Sequence, residues 1–127
     1  MFDWRRPTNL GVHDGRLARC RRTPNCVCSQ ADPADREHYI TQLAFDGPFS
    51  DLKSIVAGMP GATIVREESN YLYAEFRTRL MRFVDDVELY LDGKVLHVRS
   101  ASRLGRRDFG VNRARVEKLT VLIQARR

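Results

Sequence analysis

Apolar and polar positions alternate with a period of two through most of residues 62–101, and stretches of helical period stand before and after that block. Residues 39–45, Tyr-Ile-Thr-Gln-Leu-Ala-Phe, alternate and predict a strand, which Gly47-Pro48 breaks. Ser50 is placed to cap a helix, with Asp51 in its first turn to meet the positive end of the dipole. Leu52, Ile55, Val56 and Met59 follow at helical spacing, and Pro60-Gly61 ends the run. Residues 62–67 predict a second strand, Ser69-Asn70 a turn, and residues 71–78 a third strand. In the third, Leu72, Ala74 and Phe76 share one face and Tyr71, Tyr73, Glu75 and Arg77 the other.

Residues 84–91 and 94–101 form two more alternating runs joined by Asp92-Gly93, a strong hairpin signal. A two-residue turn at those positions sets the register with Leu91 opposite Lys94. Leu89 then faces Leu96 and Val87 faces Val98, while on the other side Glu88 faces His97 and Asp86 faces Arg99. The last segment has Val116, Leu119 and Ile123 on one helical face, with Leu122 beside them and Asp108 or Asn112 as cap. Lys118, Arg126 and Arg127 lie toward its negative end. The order strand, helix, four strands, helix predicts an α+β domain, a mainly antiparallel sheet of about five strands with two helices on its apolar face.

Residues 1–38 carry no sustained period and are punctuated by Pro7, Gly11, Gly15, Pro24 and Pro33. They read as an extended arm packed on the domain of residues 39–127, with Trp4, Leu10, Val12 and Leu17 as anchors. The 127 residues suit one domain, and 43% hydrophobic against 30% charged residues argues against disorder. No apolar run is long enough to span a bilayer and no secretory h-region opens the chain, so the expectation is a cytoplasmic protein.

Charge is unevenly spread. Residues 1–30 hold six arginines against Asp3 and Asp14, a net +4, and residues 99–127 hold nine basic against two acidic residues, a net +7. The centre, residues 31–98, is net −5, which leaves +6 for the chain. Two basic ends around an acidic middle converge on an anion or pack against that middle. No recognisable nucleic-acid module accompanies the basic ends and aromatic residues are few in them, so specific nucleic-acid binding is not expected.

Three stretches carry a resemblance. Leu17-x-x-Cys20-x-x-x-Pro24-Asn25-Cys26-Val27-Cys28-Ser29-Gln30 opens the pattern and Arg82-Phe83-Val84-Asp85-Asp86-Val87-Glu88 forms its middle. Arg99-Ser100-x-Ser102-Arg103-x-Gly105-x-x-Asp108-x-Gly110-x-Asn112-Arg113 closes it. Together they resemble the family catalogued as domain of unknown function 1499, over nearly the whole chain. Two positions depart from that family's pattern: Cys28 stands where a small hydroxyl residue is usual, and Arg21 where proline is common. The resemblance implies a shared fold and shared sites; the family brings no biochemical activity, and it includes exported, membrane-tethered and plastid-targeted members.

Cys20 and Cys26 enclose a short loop bent at Pro24-Asn25 that could close as a disulfide. Free thiols are the cytosolic default, and a zinc site would need His13 or His38 as fourth ligand and tolerate a poor Cys-x-Cys spacing. The expectation is a structural motif of Cys20, Asn25, Cys26 and Asp86 and no metal. Asp85 and Asp86 point to opposite faces of a strand and cannot share a proton. Arg99, Ser100, Ser102, Arg103, Asp108, Asn112 and Arg113 form the strongest constellation, at a glycine-punctuated turn entering a helix, where backbone N–H groups, hydroxyls and arginines suit an anion. The structural alternative has Asp108 capping the helix, Arg99 paired with Asp86 and Arg103 packed on the arm.

The expected function is a non-enzymatic binding module for a small anion, an acidic peptide or a lipid headgroup at that motif. On this reading Arg103→Ala or Arg113→Ala abolishes anion binding while the fold survives. The alternatives are an enzyme using Cys26 or Asp108 beside the arginines, and a basic protein docking on an acidic partner. No nucleotide-binding loop, dinucleotide fingerprint or helical zinc motif is present, so no cofactor is expected.

Overall fold

The computed structural model of the protein describes residues 5–78, 83–103 and 110–126. The elements are β1 (Cys26–Cys28), β2 (Leu43–Ala44), α1 (Phe49–Ala57), β3 (Ala62–Glu67), β4 (Tyr71–Arg77), β5 (Val84–Asp92), β6 (Val95–Ser102) and α2 (Val111–Ala125). The strands form one antiparallel sheet in the order β1-β6-β5-β4-β3, with β2 also paired to β6. The fold is α+β, with six strands rather than about five. The additional strand comes from the N-terminal arm, whose Cys26–Cys28 pairs with Arg99–Ala101.

The strand expected over residues 39–45 shrinks to Leu43–Ala44. The outer edge of β6 is shared: β1 takes its far half, and β2 takes only Val95 and Leu96 beside the hairpin. The helix expected from Ser50 starts one residue earlier, at Phe49, with Pro48 as N-cap and no side-chain cap. Proline's restricted φ sets that entry without help from a serine hydroxyl. Helix α2 likewise begins after Gly110, whose φ of 80° makes the turn, and Asn112 is not its cap. Asp108, the other expected cap, lies outside the described residues.

The central hairpin differs in register. Strand β5 continues through Asp92, which pairs with Val95, so the two turn residues are Gly93 and Lys94. Gly93 has φ of +62° and Asp92 does not adopt a positive φ. A turn with glycine at its first central position needs left-handed backbone only there. Moving the turn by one residue slides the pairing by two, which keeps every side chain on its face and changes every partner. Leu89 faces Val98, Val87 faces Ser100, Tyr90 faces His97, and Glu88 rather than Asp86 faces Arg99.

One sheet face carries Leu72, Ala74, Phe76, Val87, Leu89, Leu96 and Val98, and packs against Leu52 and Val56 of α1 and Val116, Leu119 and Ile123 of α2. Burying each such large side chain contributes about 1.5–3 kcal/mol. Arg126 closes the helix layer by reaching from the end of α2 to Asp51 at 3.1 Å and to the Asp46 carbonyl at 3.1 Å. The other face carries Tyr71, Tyr73, Glu75, Asp86, Glu88, Tyr90, Arg99 and Arg103. In place of a helix it is covered by the arm, with Leu17 and Cys28 buried against Tyr71, Tyr73 and Tyr90 and with Leu10, Val12 and Cys20 packed alongside.

Candidate functional site

Beneath the arm, alternation along β4 and β5 turns three carboxylates inward: Glu75, Asp86 and Glu88 are 6%, 1% and 0% exposed. Buried carboxylates need paired charges and donors, and the arm and β6 supply them. Arg103 donates to both oxygens of Asp86, at 2.9 and 2.8 Å, and to Glu75 at 2.6 Å. Arg6, from the arm, donates to the same Glu75 oxygen at 2.7 Å. The Tyr73 hydroxyl lies 2.5 Å from Asp86 and 2.9 Å from Glu75. Burial alone would raise the Glu75 pKa; hydrogen bonds from Arg6, Tyr73 and Arg103 outweigh it and hold it at about 2. Burial and the neighbouring carboxylates push both tyrosine hydroxyls well above their ordinary range, so they remain donors.

Glu88 is served differently. One oxygen accepts from the Tyr71 hydroxyl and from the Gly11 backbone N–H, the latter at 2.8 Å. The other oxygen faces Arg99 Nη1 at 3.7 Å, an ion pair without a hydrogen bond. Arg99 also donates to the Arg19 carbonyl at 3.4 Å. Its Nε is buried and finds no hydrogen-bond partner among the described residues, and neither does Glu88 Oε1.

Arg99 stands in the wall of a cleft of about 440 Å³ between the arm and the sheet. Among the described residues six arginines line it: Arg5, Arg6, Arg19 and Arg21 from the arm, Arg99 and Arg103 from β6 and its end. Thr23, Asn25 and Ser102 add hydroxyl and amide groups, and Asp86 is the carboxylate among the described lining residues. Such a wall concentrates positive potential on a space with polar donors.

The Arg/Ser/Asn constellation is divided by the pleat. Arg99, Ser102 and Arg103 reach the cleft, whereas Ser100 and Asn112 are fully buried on the helix side. There the Ser100 hydroxyl donates to Asn112 Oδ1 at 2.5 Å, and Asn112 donates to the Asn25 carbonyl at 3.1 Å and the Ser102 hydroxyl at 2.8 Å. Asn112 is thus a bolt joining α2, β6 and the end of the Cys20–Cys26 loop. Arg113 donates to the carbonyls of Tyr39, Arg36 and Glu37 at 3.1, 3.1 and 3.3 Å, and pins the segment of residues 36–39 to α2. Asp108 lies outside the described residues.

Asp85 and Asp86 do point apart. Asp85 meets Arg115 of α2 at 2.7 Å, and Asp86 meets Arg103 rather than the Arg99 that the expected register assigned it. Arg115 also donates to Asn112 at 2.8 Å and Ser100 at 3.1 Å, and lies over the Phe76 ring. Sequence reasoning missed Arg115, Glu75, Glu88, Tyr71 and Tyr73. The two tyrosines, Glu75 and Glu88 were legible as residues of non-apolar strand faces, a pattern that by itself reads as solvated.

Cys20 and Cys26 form a disulfide, with Cα atoms 5.6 Å apart, and this removes Cys26 as a nucleophile. Asn25 completes the clasp: its carbonyl accepts from Ser102 N–H at 2.9 Å as well as from Asn112. Cys28 is a free, buried thiol whose pKa is raised, chiefly by burial. His38 is held between Asp35 at 2.7 Å and the Thr23 carbonyl at 2.8 Å. His97 stacks beside Tyr90 and meets Ser29 Oγ at 3.1 Å. Among the described residues no three His, Cys, Asp or Glu side chains are grouped to hold a metal ion, and no helix is long and apolar enough to cross a membrane.

The family model described as protein of unknown function, DUF1499, matches residues 16–122. This chain belongs to that family, whose span contains the disulfide loop, the sheet and the cleft-lining arginines from Arg19 onward. No curated protein matches it.

Proposed function

We propose that the protein is a non-enzymatic binding module for small anions and that its site is the arginine-lined cleft between the N-terminal arm and the sheet. The observation that supports this reading best is Arg99: 6% exposed, in the cleft wall, with a buried Nε that no described residue satisfies. Unsatisfied buried polar groups are uncommon in folded proteins and call for a partner. An oxyanion in the cleft would accept from that nitrogen, and a charge-assisted hydrogen bond of this kind contributes about 1.5–3 kcal/mol. Arg103 is a poorer contact than the sequence pattern implied, because Asp86 and Glu75 already occupy its guanidinium; its part is to neutralise the floor of the cleft. Arg113 is committed to loop carbonyls on the helix side.

The charge of the lining sets the ligand class. Leaving Arg5 aside, Arg6, Arg19, Arg21, Arg99 and Arg103 face Glu75, Asp86 and Glu88, an excess of two positive charges. Aromatic rings are absent from the described lining, so a phosphate, sulfate or carboxylate group suits the space better than a nucleobase. The Cys20–Cys26 bridge favours an oxidising compartment over the cytosol, where thiols are kept reduced.

Calorimetric titration of the oxidised protein with inorganic phosphate tests the reading. Saturable binding is expected, weakened by salt and weakened at least tenfold by Arg99→Gln, about the effect of one charge-assisted hydrogen bond. Arg113→Ala should bind as the unaltered protein does. Absence of saturable binding, or loss in Arg113→Ala with none in Arg99→Gln, would refute the cleft as the site.

A further inference from the structure

One wall of the cleft, beside the edge of β6, is made by the disulfide loop and the residue before it. Arg19, Arg21, Thr23, Asn25 and Cys26 line the space, and the Cys20–Cys26 bond closes the loop that begins just after Arg19. The two halves of that loop are secured unequally. Its second half is bound to the domain: the Thr23 carbonyl accepts from His38 at 2.8 Å, and the Asn25 carbonyl from Ser102 N–H and Asn112. Arg19, just ahead of the loop, and Arg21, in its first half, are both exposed, and among the described residues this stretch is held by the packing of Cys20 and by the 3.4 Å hydrogen bond from Arg99 to the Arg19 carbonyl. The disulfide is what brings these two arginines to the cleft. A bond closing so short a loop restricts the chain directly where it acts.

We infer that the cleft takes a ligand with two linked anionic groups, of the diphosphate class, and that the disulfide sets its affinity for the second group. This rests on the anion-binding reading above. The inner group meets Arg99 against the sheet, and the outer group meets Arg19 and Arg21 on the loop. In the oxidised protein the bridge holds the backbone that carries Arg19 and Arg21 at the cleft before the ligand arrives, which lowers the ordering cost of binding. Reduction by a dithiol breaks the Cys20–Cys26 S–S bond; each sulfur takes a proton and the dithiol closes to its own disulfide. Residues 18–22 are then released, and the outer subsite is lost while the inner one stays.

The test is calorimetric titration of the full chain with inorganic pyrophosphate and, separately, inorganic phosphate, before and after treatment with dithiothreitol. A mass gain of two hydrogens confirms reduction. The oxidised protein is expected to bind pyrophosphate about tenfold or more tightly than phosphate, the contribution of one or more added charge-assisted contacts. Reduction should remove most of that preference and leave phosphate binding nearly unchanged. Because reduction can loosen the fold more widely, Arg19→Gln/Arg21→Gln in the oxidised protein is the second arm, and it should also lose the preference. Equal affinity for the two anions, or a preference that survives both reduction and the double substitution, would overturn the inference and leave the single-anion site standing. Failure of the oxidised protein to bind either anion would overturn that site as well.

Discussion

Replacing Arg103 with methionine removes the cation from the middle of the buried polar face. The substitution keeps an unbranched apolar stem but leaves Asp86 with the Tyr73 hydroxyl and no arginine in this cluster, and Glu75 with Tyr73 and the half-exposed Arg6. Both carboxylates are more than 90% buried, so the charge left behind has little access to water. Breaking a buried ion pair by removing one partner costs about 3–5 kcal/mol. With a urea dependence of about 1–3 kcal/mol per molar, the unfolding midpoint should fall by roughly 2 M. That is a large share of a domain stability of about 5–15 kcal/mol.

The pH dependence gives an independent check. Glu75 has a folded pKa of about 2 against an ordinary value of 4.5, so its ionisation favours the native state above pH 4.5. That contribution is lost as pH falls from 4.5 toward 2. In Arg103→Met the depression is reduced, and protonating Glu75 relieves part of the buried charge. The stability gap between the two proteins should therefore be widest near neutral pH and narrow below pH 4.5. Urea unfolding followed by circular dichroism at pH 7 and pH 3 reads both effects. A midpoint shifted by less than about 0.3 M at pH 7, within the range of an ordinary surface substitution, or a gap that stays constant with pH, would refute the argument. Adding Glu75→Gln to Arg103→Met should recover part of the loss, since the neighbouring sites are coupled.

Two further outcomes concern the packing around the site. Asn112→Ala leaves the Ser100 hydroxyl, Arg115 and the Asn25 carbonyl without their shared partner, and should cost about 2–3 kcal/mol in urea unfolding with the cleft arginines untouched. Proton NMR titration should separate the histidines. Burial lowers the His38 pKa but Asp35 and the Thr23 carbonyl more than restore it, so His38 titrates above its ordinary 6.5. Its stabilisation is full below 6.5 and fades as pH rises through the folded value. His97, half-buried beside Tyr90, should titrate below 6.5; a reversed order would refute both assignments.

Much of this fold follows from residue type and spacing. The period of two in residues 62–101 determines which side chains share a face, whatever the pairing along the strand, and Leu72, Leu89, Leu96 and Val98 could lie nowhere but in one layer. The helical spacing of Leu52 and Val56, and of Val116, Leu119 and Ile123, supplies the layer that covers them. The partners of the charged residues were settled in three dimensions. A hairpin slid by two residues preserves every face, so apolar pairing alone does not separate the two registers; Asp92, which stays extended in the strand while Gly93 alone turns left-handed, does, and the register gives Arg99 to Glu88 and leaves Asp86 to Arg103. Likewise, Tyr71, Tyr73, Glu75, Asp86 and Glu88 read as a solvated face until the arm is laid across them. Only packing could show that these groups are buried, because burial of a polar face depends on a distant segment bringing the arginines and backbone donors that neutralise it.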